Sequence, residues 1–444
     1  MYYADNTNEE YKNKRDMFKS LYYDYETFRA TLIYEISDSR DLLKQFFDGY
    51  TDEEIDFEID LATKKKEDKY KQLKEEITDI EDEFDQIESS TLISDKTNET
   101  KILDILYRFV NKNKELSEYL GFDSYVYYKD ISYNRIYTET DVNNFISNTK
   151  KYLVPLMGDE TSFIDYKVKS SKLSYPEYAF LYEYEQTSIF DSDYKTKRLL
   201  DDYAKKIGGS YYKTYTNFFD KGHYVFSNNS SALNSAYTND TLSYFGPKNQ
   251  DANTVAHEFG HFYSMNNSTC MYKSLDLQEF YSQANEFLFN SYLEQYAQKN
   301  LKNAFDVQSC ILINTACQNI LLGTTLREYE NRIYSETLST PADLLEIWND
   351  INDTGYNGKM NDYWKIEVRY DIYYLSYATS VTGALALYEN SKTNFSNAAK
   401  NYIIASNNSN ADDDIEEVLK KANLVNPFSE EAFVLIKKLI EEKS

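Results

Sequence analysis

Apolar residues in the first third of the chain return at steps of four and three. Leu73, Ile77, Ile80, Phe84 and Ile87 follow that rhythm inside a background of Lys, Glu and Asp. This is the pattern of a helix that hides one face and solvates the other, and antiparallel helices account for the N-terminal third. The seam runs for only about two heptads, so a helical hairpin is a better reading than a long coiled coil. The alternative is an assembly surface on the charged hairpin, residues 52–90. Between Tyr211 and Pro247 the rhythm changes. His223-Tyr224-Val225-Phe226, Ala236-Tyr237 and Thr241-Leu242-Ser243-Tyr244-Phe245 are short and aromatic, bounded by Asn, Ser, Gly and Asp, as strands and turns are. They predict a small sheet with an edge on which an extended peptide could lie as an added strand. Helical periodicity then resumes. Val255, Ala256, Phe259 and Phe262 form an apolar stripe behind the possible caps Asp251 and Asn253, and Leu275–Phe287 and Tyr370–Thr379 read as further helices.

Composition supports a mainly α fold. Five prolines and twelve glycines in 444 residues leave little to interrupt long helices, and no Pro- or Gly-rich linker cuts the chain. The expected organisation is an N-terminal helical region over residues 1–150, followed by residues 151–444 carrying the candidate chemistry. No run approaches the roughly twenty apolar residues that span a bilayer. The formal charge of −26 makes nucleic acid or an anionic membrane a poor partner and favours the approach of neutral or basic peptides. The three cysteines, Cys270, Cys310 and Cys317, have no metal-binding spacing, and Cys310 and Cys317 fit one face of a buried helix. The start, Met1-Tyr2-Tyr3-Ala4-Asp5-Asn6, lacks the basic and apolar parts of a secretory leader. A native chain beginning there is expected in the cytoplasm; one trimmed of its leader is expected to be exported or lipid-anchored.

The candidate chemistry lies in Thr254-Val255-Ala256-His257-Glu258-Phe259-Gly260-His261-Phe262, which holds two of the three histidines in the chain. Residues four apart share a helical face, so both imidazoles can reach one ion with Glu258 beside it. A catalytic zinc takes three protein ligands and leaves a fourth position open. Glu258 is then the general base. The third ligand is expected downstream, where Glu279 and Glu286 stand two helical turns apart. One can bind the metal while the other hydrogen-bonds a ligand. His223 reads as a structural or rim residue.

The run His257-Glu258-Phe259-Gly260-His261, with Glu279-Phe280-Tyr281-Ser282-Gln283-Ala284-Asn285-Glu286 after it, resembles the M3 metallopeptidases, the group of thimet oligopeptidase and oligoendopeptidase F. Weaker similarity covers Asn113–Phe122, Tyr137–Val142 and Asp414–Phe428, so that most of the chain from about residue 100 onward is included. The resemblance implies a multi-helical zincin-type fold with a small sheet beside the active-site helix and a deep channel. It also implies one Zn²⁺ on His257, His261 and Glu279, and hydrolysis of internal bonds in short unstructured peptides. It maps a catalytic tyrosine pair to Tyr370 and Tyr377. These are seven apart, hence on one face of a continuous helix, and a phenol can donate to the oxygen where negative charge develops. One departure stands out: the histidine that the family carries just before these tyrosines is missing from Trp364-Lys365-Ile366-Glu367-Val368-Arg369. Lys365 or Arg369 is the available cationic replacement, and neither has imidazole chemistry near pH 7. The departure keeps open a relative that binds peptides with weak turnover.

Overall fold

The computed structural model describes residues 25–47, 50–88, 96–158, 162–190, 195–229, 232, 235–267, 274–296, 299–360, 364–370, 372–407 and 414–444. Most of these are helical, with one three-stranded sheet. The seam read from the sequence is the inner face of α1 (Asp68–Glu88): Leu73, Ile77, Ile80 and Phe84 are buried against α2 (Lys96–Leu120), which contributes Ile102, Ile105, Leu106 and Phe109. The side chain of Ile87 lies outside the described set, as does Cys270. The main hydrophobic core runs from Tyr70 to Ile440, a smaller cluster of Ala30, Ile33, Leu43, Phe47, Ile55 and Ala62 packs at the N-terminal side, and Leu181, Ala304 and Val307 form a third.

The sheet forms where the aromatic segments predict it. β1 (Tyr224–Phe226) pairs parallel with β3 (Ser243–Phe245), and β2 (Ala236–Thr238) pairs antiparallel with the other side of β3, in the order β1-β3-β2. β2 is therefore an edge strand, and it packs against the helix that follows the sheet. That helix, α3 (Ala252–Asn267), starts where Asp251 caps it: Oδ1 accepts from the backbone of Asn253 (2.9 Å) and Thr254 (3.0 Å), and Oδ2 from Thr254 Oγ1 (2.6 Å).

Four further helices complete the centre: α4 (Leu275–Tyr296), α5 (Lys302–Ser335), α6 (Tyr374–Thr393) and α7 (Phe395–Asn407). α4 packs along α3 and α6, and α5 backs α6. Glycines set the closest approaches. A Cβ on Gly260 would stand 2.5 Å from the Tyr281 carbonyl oxygen and 2.7 Å from Ser282 Cα, so only glycine lets α3 meet α4 this tightly. Asn285 fastens the same crossing: its Nδ2 donates to the Ala256 carbonyl (2.6 Å), and its Oδ1 accepts from the hydroxyls of Tyr203 (2.7 Å) and Tyr211 (2.8 Å). The expectation that no run approaches a membrane span needs correcting at α5, which is apolar enough by length and composition to cross a membrane. Most of its apolar stretch is buried in the protein core, where Cys310 and Cys317 also lie.

Candidate metal centre

The crossing of α3 over α4 brings His257, His261 and Glu279 together, with one ligand atom from each within 4.8 Å of the others. Glu279 Oε2 is 3.8 Å from His257 Nε2 and 3.7 Å from His261 Nε2. Donors around a tetrahedral zinc with bonds of about 2.0–2.1 Å stand roughly 3.4 Å apart, so a small contraction closes this set on an ion. Two imidazole nitrogens and one carboxylate suit zinc, and manganese or cobalt can take the same donors. The triad therefore suits such an ion in geometry and in donor type.

A ring of other side chains orients the three. Glu286, two turns beyond Glu279, places Oε2 3.4 Å from His257 Nδ1, which leaves Nε2 facing the centre. Tyr373 donates from its hydroxyl to Glu279 Oε1 (2.7 Å), on the carboxylate oxygen not shared with the histidines. Ser282 Oγ is 3.4 Å from Glu279 Oε2. On the opposite side Thr238, at the end of β2, donates to Glu258 Oε2 at 2.6 Å, so the edge strand and the carboxylate are directly joined.

The electrostatics follow from burying several charges together. Burial pushes the Glu258 carboxyl up to about 7, with His257 and the Thr238 hydroxyl pulling the other way. Glu279 is also raised by burial, an effect opposed by His257 and by the Tyr373 hydrogen bond. For His257 burial disfavours the cation, but the Glu286 hydrogen bond and the charges of Glu258 and Glu279 outweigh it and bring the imidazole to about 9. His261 is driven well below its ordinary value by burial and by the neighbouring His257. Of the two imidazoles His257 is therefore the more readily protonated, and a metal ion competes with that extra proton.

The tyrosine segment departs from expectation. Tyr370 and Tyr377 do not share one continuous helix: Val368–Tyr370 forms a 3-10 turn, Ile372 adopts φ +66°, and α6 starts only at Tyr374. Spacing by seven carries no facial information across such a break. The side chain of Tyr370 lies outside the described set. Tyr377 faces the charge of Glu279, which together with burial raises its phenol above the ordinary range, and its ring is 5.2 Å from that of Tyr373. Tyr373 and Thr238 are the contributors that sequence reasoning missed. The only signal for Tyr373 was its place four residues before Tyr377. Thr238 had none, because its reach depends on the sheet.

The two cationic replacements considered for the absent histidine are engaged elsewhere. Lys365 Nζ donates to Glu99 Oε1 on α2 (2.5 Å), and the Arg369 guanidinium lies 5.2 Å above the Phe84 ring of α1. His223 Nδ1 pairs with the Thr241 carbonyl (2.9 Å) and its ring rests on Phe262, apart from the triad.

No protein-family model and no curated protein sequence matches this chain. Solved structures do match it. The chain is 14% identical to Pz peptidase A, determined with an inhibitor, with a TM-score of 0.72 over all of this chain and 90% of that one. It is 15% identical to a Bacillus anthracis protein described as an oligoendopeptidase F, with a TM-score of 0.67 over 99% of this chain and 87% of the other. A further structure described as oligoendopeptidase F has a TM-score of 0.71 at 14% identity, covering 99% of this chain and 87% of its own. At such identities the agreement is one of fold. The chain shares the helical architecture of these solved structures along nearly its whole length.

Proposed function

We propose that this chain is a metal-dependent oligopeptidase that hydrolyses internal bonds of short unstructured peptides, with His257, His261 and Glu279 holding one zinc ion. The observation that carries the reading is the closure of two imidazole nitrogens on one carboxylate oxygen, at 3.8 and 3.7 Å, with a buried glutamate between the histidines in sequence. Zinc in that set supplies Lewis acidity, acidifying water and polarising the scissile carbonyl. Glu258 accepts the proton of the attacking water and delivers it to the leaving amine, a role suited to a carboxyl that burial lifts to about 7. Thr238 holds one oxygen of Glu258 and leaves the other free for the proton. Tyr377 is the phenol available to donate to the developing oxyanion, with Tyr370, which precedes it in the chain, as the second member of the pair that the resemblance implies, while the hydroxyl of Tyr373 is committed to Glu279. Among the described residues β2 is an edge strand next to Glu258, where a peptide can add as a strand and present its carbonyl. The net charge of −26 favours neutral or basic peptides over acidic ones. The deep channel that the resemblance implies would exclude folded proteins.

One observation favours a second reading, that of a peptide-binding relative with weak turnover. No histidine follows His261, while Lys365 donates to Glu99 and the Arg369 guanidinium lies over the Phe84 ring. Incubating purified protein with a mixed library of short peptides, with and without a metal chelator, separates the two by mass spectrometry. Internal cleavage that the chelator abolishes supports the oligopeptidase. Peptide retention without cleavage supports the binder.

A further inference from the structure

Behind the tyrosines lies a buried charge cluster for which the reaction has no direct use. Arg135 has a fully buried side chain and reaches four elements. Its Nη1 donates to Asp130 Oδ1 (2.9 Å) on the helix Tyr125–Ser132, and its Nε stands 3.4 Å from Asp276 Oδ1 on the first turn of α4. Its Nη2 donates to the Ile372 carbonyl (2.8 Å) and to Ser376 Oγ on α6 (2.7 Å). Arg327 of α5 closes the other side of Asp130, so two guanidinium groups and two carboxylates form one neutral unit. Three residues after Arg327, Glu330 accepts the Ile372 backbone N–H (3.0 Å).

Ile372 is the point on which these contacts converge. It is fully buried, β-branched and in the left-handed region at φ +66°, a conformation that such a residue keeps only when its surroundings impose it. Its N–H is held by Glu330 and its carbonyl by Arg135, so both flanking peptide groups are fixed. The next residue is Tyr373, whose hydroxyl holds Glu279. Asp276 lies one turn before Glu279 on the same helix, so Arg135 ties the phenol segment and the metal-ligand helix to one guanidinium.

We infer that Arg135 is a positioning residue, which clamps the left-handed turn at Ile372 and so fixes Tyr373 against Glu279 and Tyr377 beside it. The inference rests on the proposed metallopeptidase reading. It is specific to arginine: a guanidinium supplies several donors in a fixed planar fork, whereas the ammonium of lysine keeps the charge without that geometry.

The test is a cycle of Arg135→Lys, Tyr373→Phe and the double variant. It is read by zinc dissociation constant against a competing chelator, and by kcat and KM on a peptide that the wild type cleaves. Loss of a side chain that orients a metal ligand weakens metal binding by about 10-fold or more. Positioning predicts that Arg135→Lys and Tyr373→Phe each weaken zinc by that order and lower kcat with little change in KM, and that the double variant is no worse than either single one. Losses that multiply in the double variant would overturn the inference, because Arg135 would then act independently of Tyr373. Should Arg135→Lys not fold, Ser376→Ala takes its place in the cycle, since it removes the tie to α6 while the buried charges stay paired. A wild type that binds no zinc and cleaves nothing contradicts the metallopeptidase reading itself. Cleavage by the wild type with unchanged behaviour of Arg135→Lys removes only the role of Arg135.

Discussion

The α1–α2 hairpin and the layer of α3, α4 and α6 are both closed by apolar packing, yet they treat charge in opposite ways. On the hairpin, ion pairs sit at the solvent rim: Lys112 bridges Glu76 (2.6 Å) and Glu115 (2.7 Å), and Arg108 bridges Glu83 (2.7 Å) and Asp104 (3.2 Å), all with partly exposed side chains. Such pairs are worth about 0–1 kcal/mol each. In the layer Glu258, Glu279 and Asp276 are buried, as is Arg135 packed against it, where an isolated charge is expensive and each group needs a partner. Charge on the hairpin keeps a helix wet. Charge in the layer is kept at a cost to stability, and it gathers where the chemistry is.

The comparison breaks most visibly at the buried cluster. Asp130→Asn leaves Arg135 and Arg327 short of a counter-charge and is expected to lower unfolding free energy by about 3–5 kcal/mol, read from the urea midpoint. The same carboxyl gives a pH dependence. Burial raises its proton affinity, but Arg327 and Arg135 outweigh this and hold it below the ordinary carboxylate range. A folded-state value below the unfolded one means that its contribution is present above the unfolded pKa and is lost as pH falls through the folded one. The wild type should therefore lose stability below about pH 4, and Asp130→Asn should lose less over that interval. A smaller effect is expected at the helix crossing. Gly260→Ala drives a Cβ to 2.5 Å from a backbone oxygen that has no rotamer to yield, and should cost about 2–3 kcal/mol despite the better helix propensity of alanine. The least is expected on the hairpin, where Lys112→Ala should shift stability by less than about 1 kcal/mol, and by less still at high salt. A large loss there would contradict the contrast between the two regions.

What could be read from the sequence follows from how local each feature is. His257 and His261 were legible because a helix alone sets their relation, and Glu279 and Glu286 because α4 is unbroken between them. The strands were legible from short aromatic runs between turn residues, and β1–β3 formed within a residue or two of them. The shared face expected of Tyr370 and Tyr377 did not hold, because a spacing of seven implies one face only in a continuous helix, and Ile372 interrupts the helix between them. Thr238 on Glu258 and Arg135 on Ile372 join residues 20 and 237 positions apart. No periodicity encodes contacts of that kind, which come from tertiary packing.

The most direct test of the central claim is the kcat of Glu258→Gln, measured beside the wild type with the zinc content of both preparations determined. A general base contributes roughly 10²–10⁴-fold, so the prediction is one zinc per chain in each protein and a loss of peptide cleavage of about that size in the variant. Undiminished cleavage by Glu258→Gln with zinc in place would contradict the assignment of Glu258 as the base, and with it the mechanism proposed for this site.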